Sequence, residues 1–205
     1  MVRVGILGAG FMGKTHAEAY KQLPNAEIVG IAEVDESLGR EFGEEFDCPS
    51  CSDAGELIRR KDVDIIDICL PSFLHEQYVI QAAGEGKHIL CEKPFTLSME
   101  SAARMIDAVN KAGVSFMIAQ VVRFWPDYMR IKKFSEEGDL GDIRMVYANR
   151  LSQHPGWSDW FKDVNKSGGG LFDLHLHDID FVYYLLGPAK TVYAVGEKDE
   201  NGAWN

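Results

Sequence analysis

The chain has 205 residues, 46% of them hydrophobic, which is enough apolar material for one large domain or two modest ones. It carries 21 Lys and Arg against 32 Asp and Glu, a net charge of −11, and this balance argues against a nucleic-acid partner, because binding phosphates requires a basic surface. No apolar run approaches the ~18 residues that a membrane-spanning helix needs. The N-terminus shows no basic leader, so we expect a cytoplasmic protein without membrane contact.

Short apolar segments alternate with helical patterns along the first 120 residues. Strands are predicted at 2–7, 26–32, 63–70, 87–91 and 114–119, and helices at 11–23, 36–46, 52–60, 75–84 and 98–112. This alternation is typical of an α/β fold with a doubly wound parallel sheet. Nearly continuous apolar strands agree with it, because helices cover both faces of such a sheet.

The pattern changes after residue 120. A helix is predicted at 125–137, a strand at 143–151, a helix at 171–186 and a last strand at 191–196. These strands are too few for a self-sufficient sheet, so we expect residues 121–205 to form only part of a domain. Trp157 and Trp160 are interpreted as ordinarily buried residues, with stacking on a sugar-like ligand as the alternative.

The cysteines and the clustered histidines do not predict a metal site. Cys69 and Cys91 lie within apolar strand patterns and are interpreted as small core residues. The pair Cys48 and Cys51 is at most half of a zinc site, because no second pair accompanies it; a redox role is the alternative. His175 and His177 are two residues apart, so a helix would point them to different faces.

A glycine-rich turn is predicted between the first strand and the first helix. Residues 8–13, Gly-Ala-Gly-Phe-Met-Gly, match G-x-G-x-x-G in the context that gives the motif meaning. Glycines let the backbone approach a pyrophosphate, and the helix N-terminus offers free N–H groups. The residues predicted to bind a nucleotide here are Gly8, Gly10, Phe11, Met12 and Gly13.

An acidic residue, Glu33, follows the second predicted strand, 20 residues after Gly13. A carboxylate at this position can accept hydrogen bonds from an adenosine ribose and repel a 2′-phosphate. We therefore predict NAD as the cofactor, with NADP less favoured. Asp35 is a competing candidate for the same role.

The tripeptide Glu92-Lys93-Pro94 comes directly after the predicted strand 87–91. The carboxyl ends of strands form the ligand-binding edge of an open α/β sheet, and Pro94 restricts the backbone of Lys93. Alone, the tripeptide would be interpreted as a strand end with an exposed lysine. The glycine-rich turn, predicted at the same edge, makes Lys93 a candidate for the chemistry of the site.

Together these motifs resemble the Gfo/Idh/MocA family of NAD(P)-dependent oxidoreductases, which includes glucose-fructose oxidoreductase and inositol dehydrogenase. The matching segments are Gly8 to Gly13 with His16, Leu70-Pro71-Ser72 with His75, Gly86 to Pro94, Arg123-Phe124, Gly141-Asp142-Ile143, and Gly168-Gly169-Gly170 with Asp173 and His177. The resemblance implies a Rossmann domain at 1–120, an α+β open-sheet domain at 121–205 and a homo-oligomer. Members are usually much longer than this chain, so the second domain is expected to be truncated.

The resemblance also implies site residues. The matched catalytic positions are Lys93, Asp173 and His177, and the positions beside the nicotinamide half of the cofactor are Leu70, Pro71, His75, Glu92 and Lys93. His16 is interpreted either as a cofactor contact or as an exposed helix residue, and Arg123 either as a substrate contact or as a structural ion pair.

The expected chemistry is hydride transfer between the nicotinamide and a sugar, inositol or polyol-like secondary alcohol or ketone. It requires a proton acceptor and positive charge near the developing alkoxide. His177 titrates near neutrality, whereas a lysine becomes a base when burial lowers its pKa; the sequence does not rank His177 and Lys93. Asp173 and His177, four residues apart, share one helix face. The alternatives are a non-catalytic NAD(P)-binding sensor on the same scaffold and an inactive fragment.

Overall fold

The structure is a computed structural model that describes residues 1–152 and 159–196. The chain divides into two compact units, Met1–Ala119 and Gln120–Asn205. Trp157, one of the two candidate stacking residues, lies outside the described residues. In the part of the chain that the structure describes, no helix is both long enough and apolar enough to cross a membrane.

The first unit is a six-stranded parallel sheet in the order β3-β2-β1-β4-β5-β6. Its strands are β1 (Val2–Leu7), β2 (Ala26–Ala32), β3 (Ser50–Cys51), β4 (Ile65–Ile68), β5 (His88–Cys91) and β6 (Phe116–Ile118), and its helices are α1 (Phe11–Tyr20), α2 (Glu36–Phe46), α3 (Ala54–Arg59), α4 (His75–Gly84) and α5 (Met99–Ala112). This strand order is that of the dinucleotide-binding Rossmann fold, with its switch point between β1 and β4. The predicted doubly wound sheet is confirmed.

Helix α5 begins and ends at signals in its flanking sequence. Gly113, with φ +66, follows α5 where the predicted helix 98–112 ends, and the Ser98 hydroxyl caps the start of the same helix. Strand β4 is shorter than the predicted 63–70, because its pairing with β1 ends at Leu7, where the glycine-rich turn begins. Strand β3 was not predicted, since two residues are too few to show an alternating pattern.

Two hydrophobic clusters fill the first unit. One contains Val4 and Ile6 of β1 with Phe42 of α2; the other contains Ile66 and Ile68 of β4 with residues of α3, α4 and α5. Successive strand residues point to opposite faces. Residue 67, between the two isoleucines of β4, therefore points to the opposite face of the sheet, where it meets α1.

The regular elements among the described residues of the second unit are all helical. Its helices are α6 (Pro126–Glu136), α7 (Val164–Ser167) and α8 (Leu176–Leu186), with a π-helical turn at Leu171–His175 directly before α8. Helices α6 and α8 pack through Tyr128 and Phe181, whose rings meet edge to face with centroids 4.7 Å apart. Phe181 is 7% exposed, which makes it the centre of this small core.

The strand predictions at 143–151 and 191–196 are wrong. Neither segment belongs to a strand or helix, and Met145, Tyr147 and Tyr193 are 85% or more exposed. A strand requires a partner for its backbone N–H and C=O groups. Among the described residues of the second unit there is no strand to provide one. The alternating pattern is present in the sequence, but the described residues of this unit offer it no strand to pair with.

Candidate functional site

The glycine-rich turn connects β1 to α1 at the carboxyl edge of the sheet, the edge at which β1, β2, β4 and β5 end. Gly8 has φ +98, and a Cβ built there would lie 2.6 Å from the Cys69 carbonyl oxygen; at Gly13 it would lie 1.9 Å from the Gly8 carbonyl oxygen. Gly10 differs, because it has φ −71 and, apart from its own atoms and those of its two chain neighbours, no described atom lies within 4 Å of the added Cβ. The fold itself therefore requires glycine at 8 and 13, but not at 10.

The open space at Gly10 adjoins the start of α1, where backbone N–H groups have no partner within the helix. Phe11, the first residue of α1, is 73% exposed, and Met12 is half-buried. Backbone that a ligand can approach closely, at a helix N-terminus, is suited to a phosphate group. Packing does not account for glycine at position 10, whereas the close approach of a ligand would.

Glu33, at the end of β2, supports this turn directly. One carboxylate oxygen accepts a hydrogen bond from the Ala9 N–H at 2.9 Å, and the other accepts from the Asp35 N–H at 3.1 Å. Asp35 is used differently, since its carboxylate accepts from the N–H groups of Ser37 and Leu38 and caps α2. Both acids accept backbone hydrogen bonds, and Glu33 is the one that contacts the glycine-rich turn, so it is the ribose candidate beside that turn. Its hold on the turn was not expected from the sequence.

A cluster of polar side chains lies beneath this edge. We call it the Asp67 cluster, and it consists of Asp67, His16, Tyr20, Cys69 and Glu92. Asp67, within β4, is 0% exposed. Its carboxylate accepts hydrogen bonds from His16 Nδ1 at 2.9 Å and from the Tyr20 hydroxyl at 2.9 Å. His16 Nε2 lies 3.1 Å from Glu92 Oε1, so one imidazole joins two buried carboxylates.

Protonation in the cluster follows from this arrangement. Burial opposes the charged form of His16, but hydrogen bonds to Asp67, Cys69 and Glu92 outweigh it and raise the pKa of His16 to about 12. Burial, with Asp67 nearby, raises the pKa values of Tyr20 and Cys69, so both remain neutral. His16 is therefore a fixed cation between two carboxylates.

These contacts revise the interpretation of His16 and add a polar contact to that of Cys69. His16 is not an exposed helix residue, since its side chain is 15% exposed, and both of its ring nitrogens already have protein partners. Cys69 packs against the core, as interpreted, and it also contacts the Asp67 cluster, because its sulfur lies 3.4 Å from His16 Nδ1. The sequence did carry a signal, since Asp67 interrupts an apolar strand and His16 and Tyr20 are spaced i, i+4 on α1.

The cluster also contains metal-ligand atom types. Those of His16, Asp67 and Cys69 lie within 4.8 Å of one another, the one such group among the described residues. Their mutual hydrogen bonds and the His16 charge already compensate the buried carboxylates, so the arrangement does not call for a metal ion. The pair Cys48 and Cys51 is separate: both thiols are free, with Cys48 in the core and Cys51 in β3.

Glu92-Lys93-Pro94 follows β5, and its backbone is held at both ends. The second oxygen of Glu92 accepts a hydrogen bond from the Lys93 N–H at 2.9 Å. Both ring nitrogens of His75 lie 2.9 Å from backbone carbonyl oxygens, those of Pro94 and Leu70. The Lys93–Pro94 peptide bond is cis, and Lys93 is half-buried.

His75 is 0% exposed, so its imidazole offers no surface to a cofactor. Burial is the largest influence and lowers the pKa of His75, although the carbonyl groups of Leu70, Pro94 and Phe95 favour the charged form. In either protonation state at least one carbonyl receives an N–H. His75 therefore joins the segment after β4 to the segment after β5. The structure shows contacts with the backbone where the resemblance implied a contact between this side chain and the cofactor.

A cavity of about 470 Å³ lies elsewhere, lined by residues that include Arg40, Asp47 and Pro49. It adjoins the amino end of β3, so it opens at the edge of the sheet opposite the glycine-rich turn. None of the predicted site residues lines it. The chemistry-bearing side chains of the first unit are thus grouped at the carboxyl edge instead.

In the second unit, Asp173 lies in the π-helical turn and His177 in α8, and both are half-buried. A continuous α-helix was predicted here; π turns occur frequently at functional sites. His175 is about half exposed, with Nδ1 3.6 Å from Asp178. Trp160 is half-buried and its ring stacks on Phe161, with centroids 3.9 Å apart.

Two arginine–carboxylate pairs fix α8. Arg123 donates from two nitrogens to Asp180, and Arg150 donates at 2.8 Å to each oxygen of Asp178. Such two-point pairs are geometrically specific. The structural interpretation of Arg123 therefore holds. The hydrogen bond from Arg150 also lowers the pKa of Asp178.

The charge on His16 predicts a specific dependence of stability on pH. Unfolded His16 titrates near 6.5 and folded His16 near 12, so between these values only the folded state keeps the proton. Its stabilising contribution is complete below about pH 6.5 and is lost as the pH rises toward about 12. The free energy of unfolding of the wild type, minus that of His16→Gln, should therefore shrink on going from about pH 6 to about pH 10 in urea titrations. A difference that stays constant across this range would contradict the assignment.

Comparison with known proteins identifies the family. Residues 2–120 match the family described as "Oxidoreductase family, NAD-binding Rossmann fold", and residues 128–203 match the "GFO/IDH/MocA C-terminal domain". The chain is 32% identical over 203 residues to 2,7-anhydro-N-acetylneuraminate hydratase of Escherichia coli (strain K12), covering 96% of this chain and 53% of that protein. It is 30% identical over 197 residues to myo-inositol 2-dehydrogenase of Thermotoga maritima, covering 95% and 58%.

Comparison with solved structures points to the same family. Levoglucosan dehydrogenase in complex with NADH and levoglucosan is 34% identical, with a TM-score of 0.81, over 91% of this chain and 54% of that one. The chain thus spans about half the length of the relatives that it matches. Because the Rossmann family match covers more than half of the sequence, with the motifs at the positions described above, the chain belongs to the Gfo/Idh/MocA family of oxidoreductases.

Proposed function

We propose that this chain carries the cofactor-binding part of an NAD-dependent oxidoreductase, which transfers a hydride between the nicotinamide and a secondary alcohol or ketone of a sugar, inositol or polyol. The observation that carries the proposal is the glycine at position 10, which packing does not require and which stands open at the start of α1. Relatives named as dehydrogenases of myo-inositol and of levoglucosan, the latter in complex with NADH, support the substrate class.

The cofactor contacts extend along the carboxyl edge. The pyrophosphate binds at Gly8 to Gly13, the adenosine ribose at Glu33, and the nicotinamide near Leu70, Pro71 and the Glu92-Lys93 segment. This direction follows from the fold, since a dinucleotide lies across the switch point of the sheet. Glu33 favours NAD over NADP because its carboxylate repels a 2′-phosphate.

The catalytic residues of the proposal are Lys93, Asp173 and His177. Lys93 or His177 takes the hydroxyl proton as the hydride leaves for the nicotinamide, and the other polarises the oxygen. Asp173 orients the imidazole or binds the substrate. A non-catalytic NAD-binding sensor is the alternative, and the presence of all three side chains argues against it.

We also propose a cytoplasmic homo-oligomer. Free thiols at all four cysteines suit a reducing compartment. Val192, Tyr193 and Val195 expose 81% or more of their surface, and apolar surface of this kind is commonly covered by a partner subunit. A molar mass equal to that of one chain, measured by light scattering, would contradict the homo-oligomer.

The glycine-rich turn gives the sharpest test of cofactor binding. Gly10→Ala adds a Cβ that the fold accommodates, so the free energy of unfolding should change by less than about 1 kcal/mol, while the dissociation constant for NADH should rise at least about tenfold. Gly13→Ala should lower the free energy of unfolding in addition to weakening NADH binding, because its Cβ would lie 1.9 Å from the Gly8 carbonyl oxygen.

Gly84→Ala in α4 is the matched control, since its Cβ also meets no described atom within 4 Å. It should leave NADH binding unchanged. NADH fluorescence and urea unfolding measure the two quantities on each variant. If Gly10→Ala bound NADH as tightly as the wild type, the pyrophosphate would not lie at this turn.

Catalysis is tested with Lys93→Ala and His177→Ala, each assayed separately for turnover and for NADH binding. We expect turnover to fall by about 10²- to 10⁴-fold, as for removal of a general acid or base, with NADH still bound. Lys111→Ala, at a lysine 76% exposed on α5, is the control and should retain turnover. Full turnover in both site variants would contradict the assignment.

The assay mixes the protein with NAD⁺ and a panel of sugars, inositols and polyols and follows the NADH absorbance band. One relative is named a hydratase, and adding water produces no net oxidation. The same mixtures are therefore also analysed by mass spectrometry for hydrated or dehydrated products. NADH binding without any product would favour the sensor.

A further inference from the structure

The Asp67 cluster reaches the backbone of Lys93 through a chain of hydrogen bonds. Asp67 accepts from His16, His16 contacts the first oxygen of Glu92, and the second oxygen of Glu92 accepts from the Lys93 N–H at 2.9 Å. Every link is between 2.9 and 3.1 Å. The carboxylate of Glu92 is thus shared between a cation behind it and the peptide N–H of the residue in front of it.

Asp67 is well suited to anchor this chain. It is rigid because it lies within a central strand, is 0% exposed and also accepts from the Tyr20 hydroxyl. It contacts one ring nitrogen of His16 and thereby orients the other toward Glu92. A carboxylate that orients an imidazole, which in turn acts on a third group, is a recurrent way to hold a reactive residue in place.

His75 fixes the other side of the same tripeptide. Its imidazole lies 2.9 Å from the carbonyl oxygen of Pro94, independently of His16. Losing the His16 contact would therefore displace Glu92 and the Lys93 N–H without releasing the whole segment from the sheet. The expected consequence is a misplaced lysine rather than an unfolded edge.

His16 also belongs to α1, the helix that opens at the glycine-rich turn. Its contact with Glu92 therefore sets the position of residue 93 relative to the helix at which the pyrophosphate is proposed to bind. Displacements of about 1 Å at a reacting group can cost about 10²-fold in rate. A contact that fixes this distance affects the chemical step more than it affects binding.

We propose that His16 is a positioning residue for Lys93, acting through Glu92 as part of the Asp67–His16–Glu92 chain. The proposal rests on the proposed role of Lys93 in hydride transfer. His16 does not itself touch substrate or cofactor, because both of its ring nitrogens are engaged within the protein. What it supplies is the position of the Glu92 carboxylate, and through it that of residue 93.

Two conservative variants separate this role from general support of the fold. In His16→Asn the shorter amide can replace Nδ1 toward Asp67 but does not reach Glu92. In His16→Gln the longer amide can replace Nε2 toward Glu92. Both variants remove the charge, but His16→Asn can keep only the Asp67 contact and His16→Gln only the Glu92 contact. Activity that is recovered in His16→Gln and not in His16→Asn therefore reports the Glu92 contact. His88→Ala is the matched control, since His88 accepts a hydrogen bond from the Ser115 N–H at the opposite end of β5.

With the best substrate of the panel and NAD⁺, His16→Asn should lower kcat by about 10- to 100-fold with the KM for NAD⁺ within about twofold. His16→Gln should recover most of this loss, and His88→Ala should retain both constants. Thermal unfolding verifies that each variant is folded. Should His16→Asn not fold, Glu92→Gln takes its place and should show the same fall in kcat at nearly constant KM.

A second readout needs no turnover. The rate at which a lysine-directed reagent modifies Lys93, measured by mass spectrometry relative to Lys111 in the same sample, should change at least about threefold in His16→Asn. It should stay near the wild-type rate in His16→Gln and His88→Ala. Equal kcat and equal Lys93 modification in the Asn, Gln and wild-type proteins would overturn the positioning role. A wild type without turnover but with the predicted modification pattern would instead count against the proposed function alone.

Discussion

The wholly buried carboxylate of Asp67 constrains the carboxyl edge of this sheet more than any other single group. A charge placed within a central strand is costly unless charged and hydrogen-bonding groups compensate it. Here the compensation comes from His16 and Tyr20 on α1. The contacts that compensate the Asp67 carboxylate therefore also fix α1 against β4. Through the contact between His16 and Glu92, the same group of side chains reaches the end of β5.

This arrangement links what the sequence presents as separate motifs. The glycine-rich turn touches the backbone at Cys69, Glu33 holds the Ala9 N–H, and His75 joins the segments after β4 and β5. The result is one connected edge in which the backbone proposed to bind the cofactor and a candidate catalytic lysine are held by buried side chains. A rigid support of this kind is what hydride transfer requires, because the rate depends on precise placement of the reacting groups.

The parts of the fold set by local pattern could be predicted from the sequence. Strands β1 and β2 and helices α2 and α4 were predicted with the bounds that the structure shows, because apolar runs and helical spacing define them directly. The strands predicted at 143–151 and 191–196 failed for a different reason. Alternation describes a segment ready to pair, but pairing depends on another segment, and pattern alone does not show whether one is available.

The position of the site could be predicted from the sequence, but the hydrogen bonds between its side chains could not. Motif spacing pointed to the turn, to Glu33 and to Lys93, since each follows a strand. It did not reveal that His16 and Glu92 share a hydrogen bond across 76 residues, because such contacts exist only after the strands have assembled in their order. Asp67 was the available clue: a charged residue inside an apolar strand requires a partner, and the i, i+4 pair on α1 provides it.

The central claim is that a dinucleotide lies along the carboxyl edge, from the glycine-rich turn to Lys93. Hydrogen–deuterium exchange with and without NADH tests it most directly, because it reports where backbone amides become protected without requiring a substrate. The account predicts slower exchange in peptides that contain residues 8–13, 33–35 and 92–95, with no change at the cavity beside Arg40 and Pro49. Protection confined to that cavity, with the carboxyl edge unchanged, would contradict it.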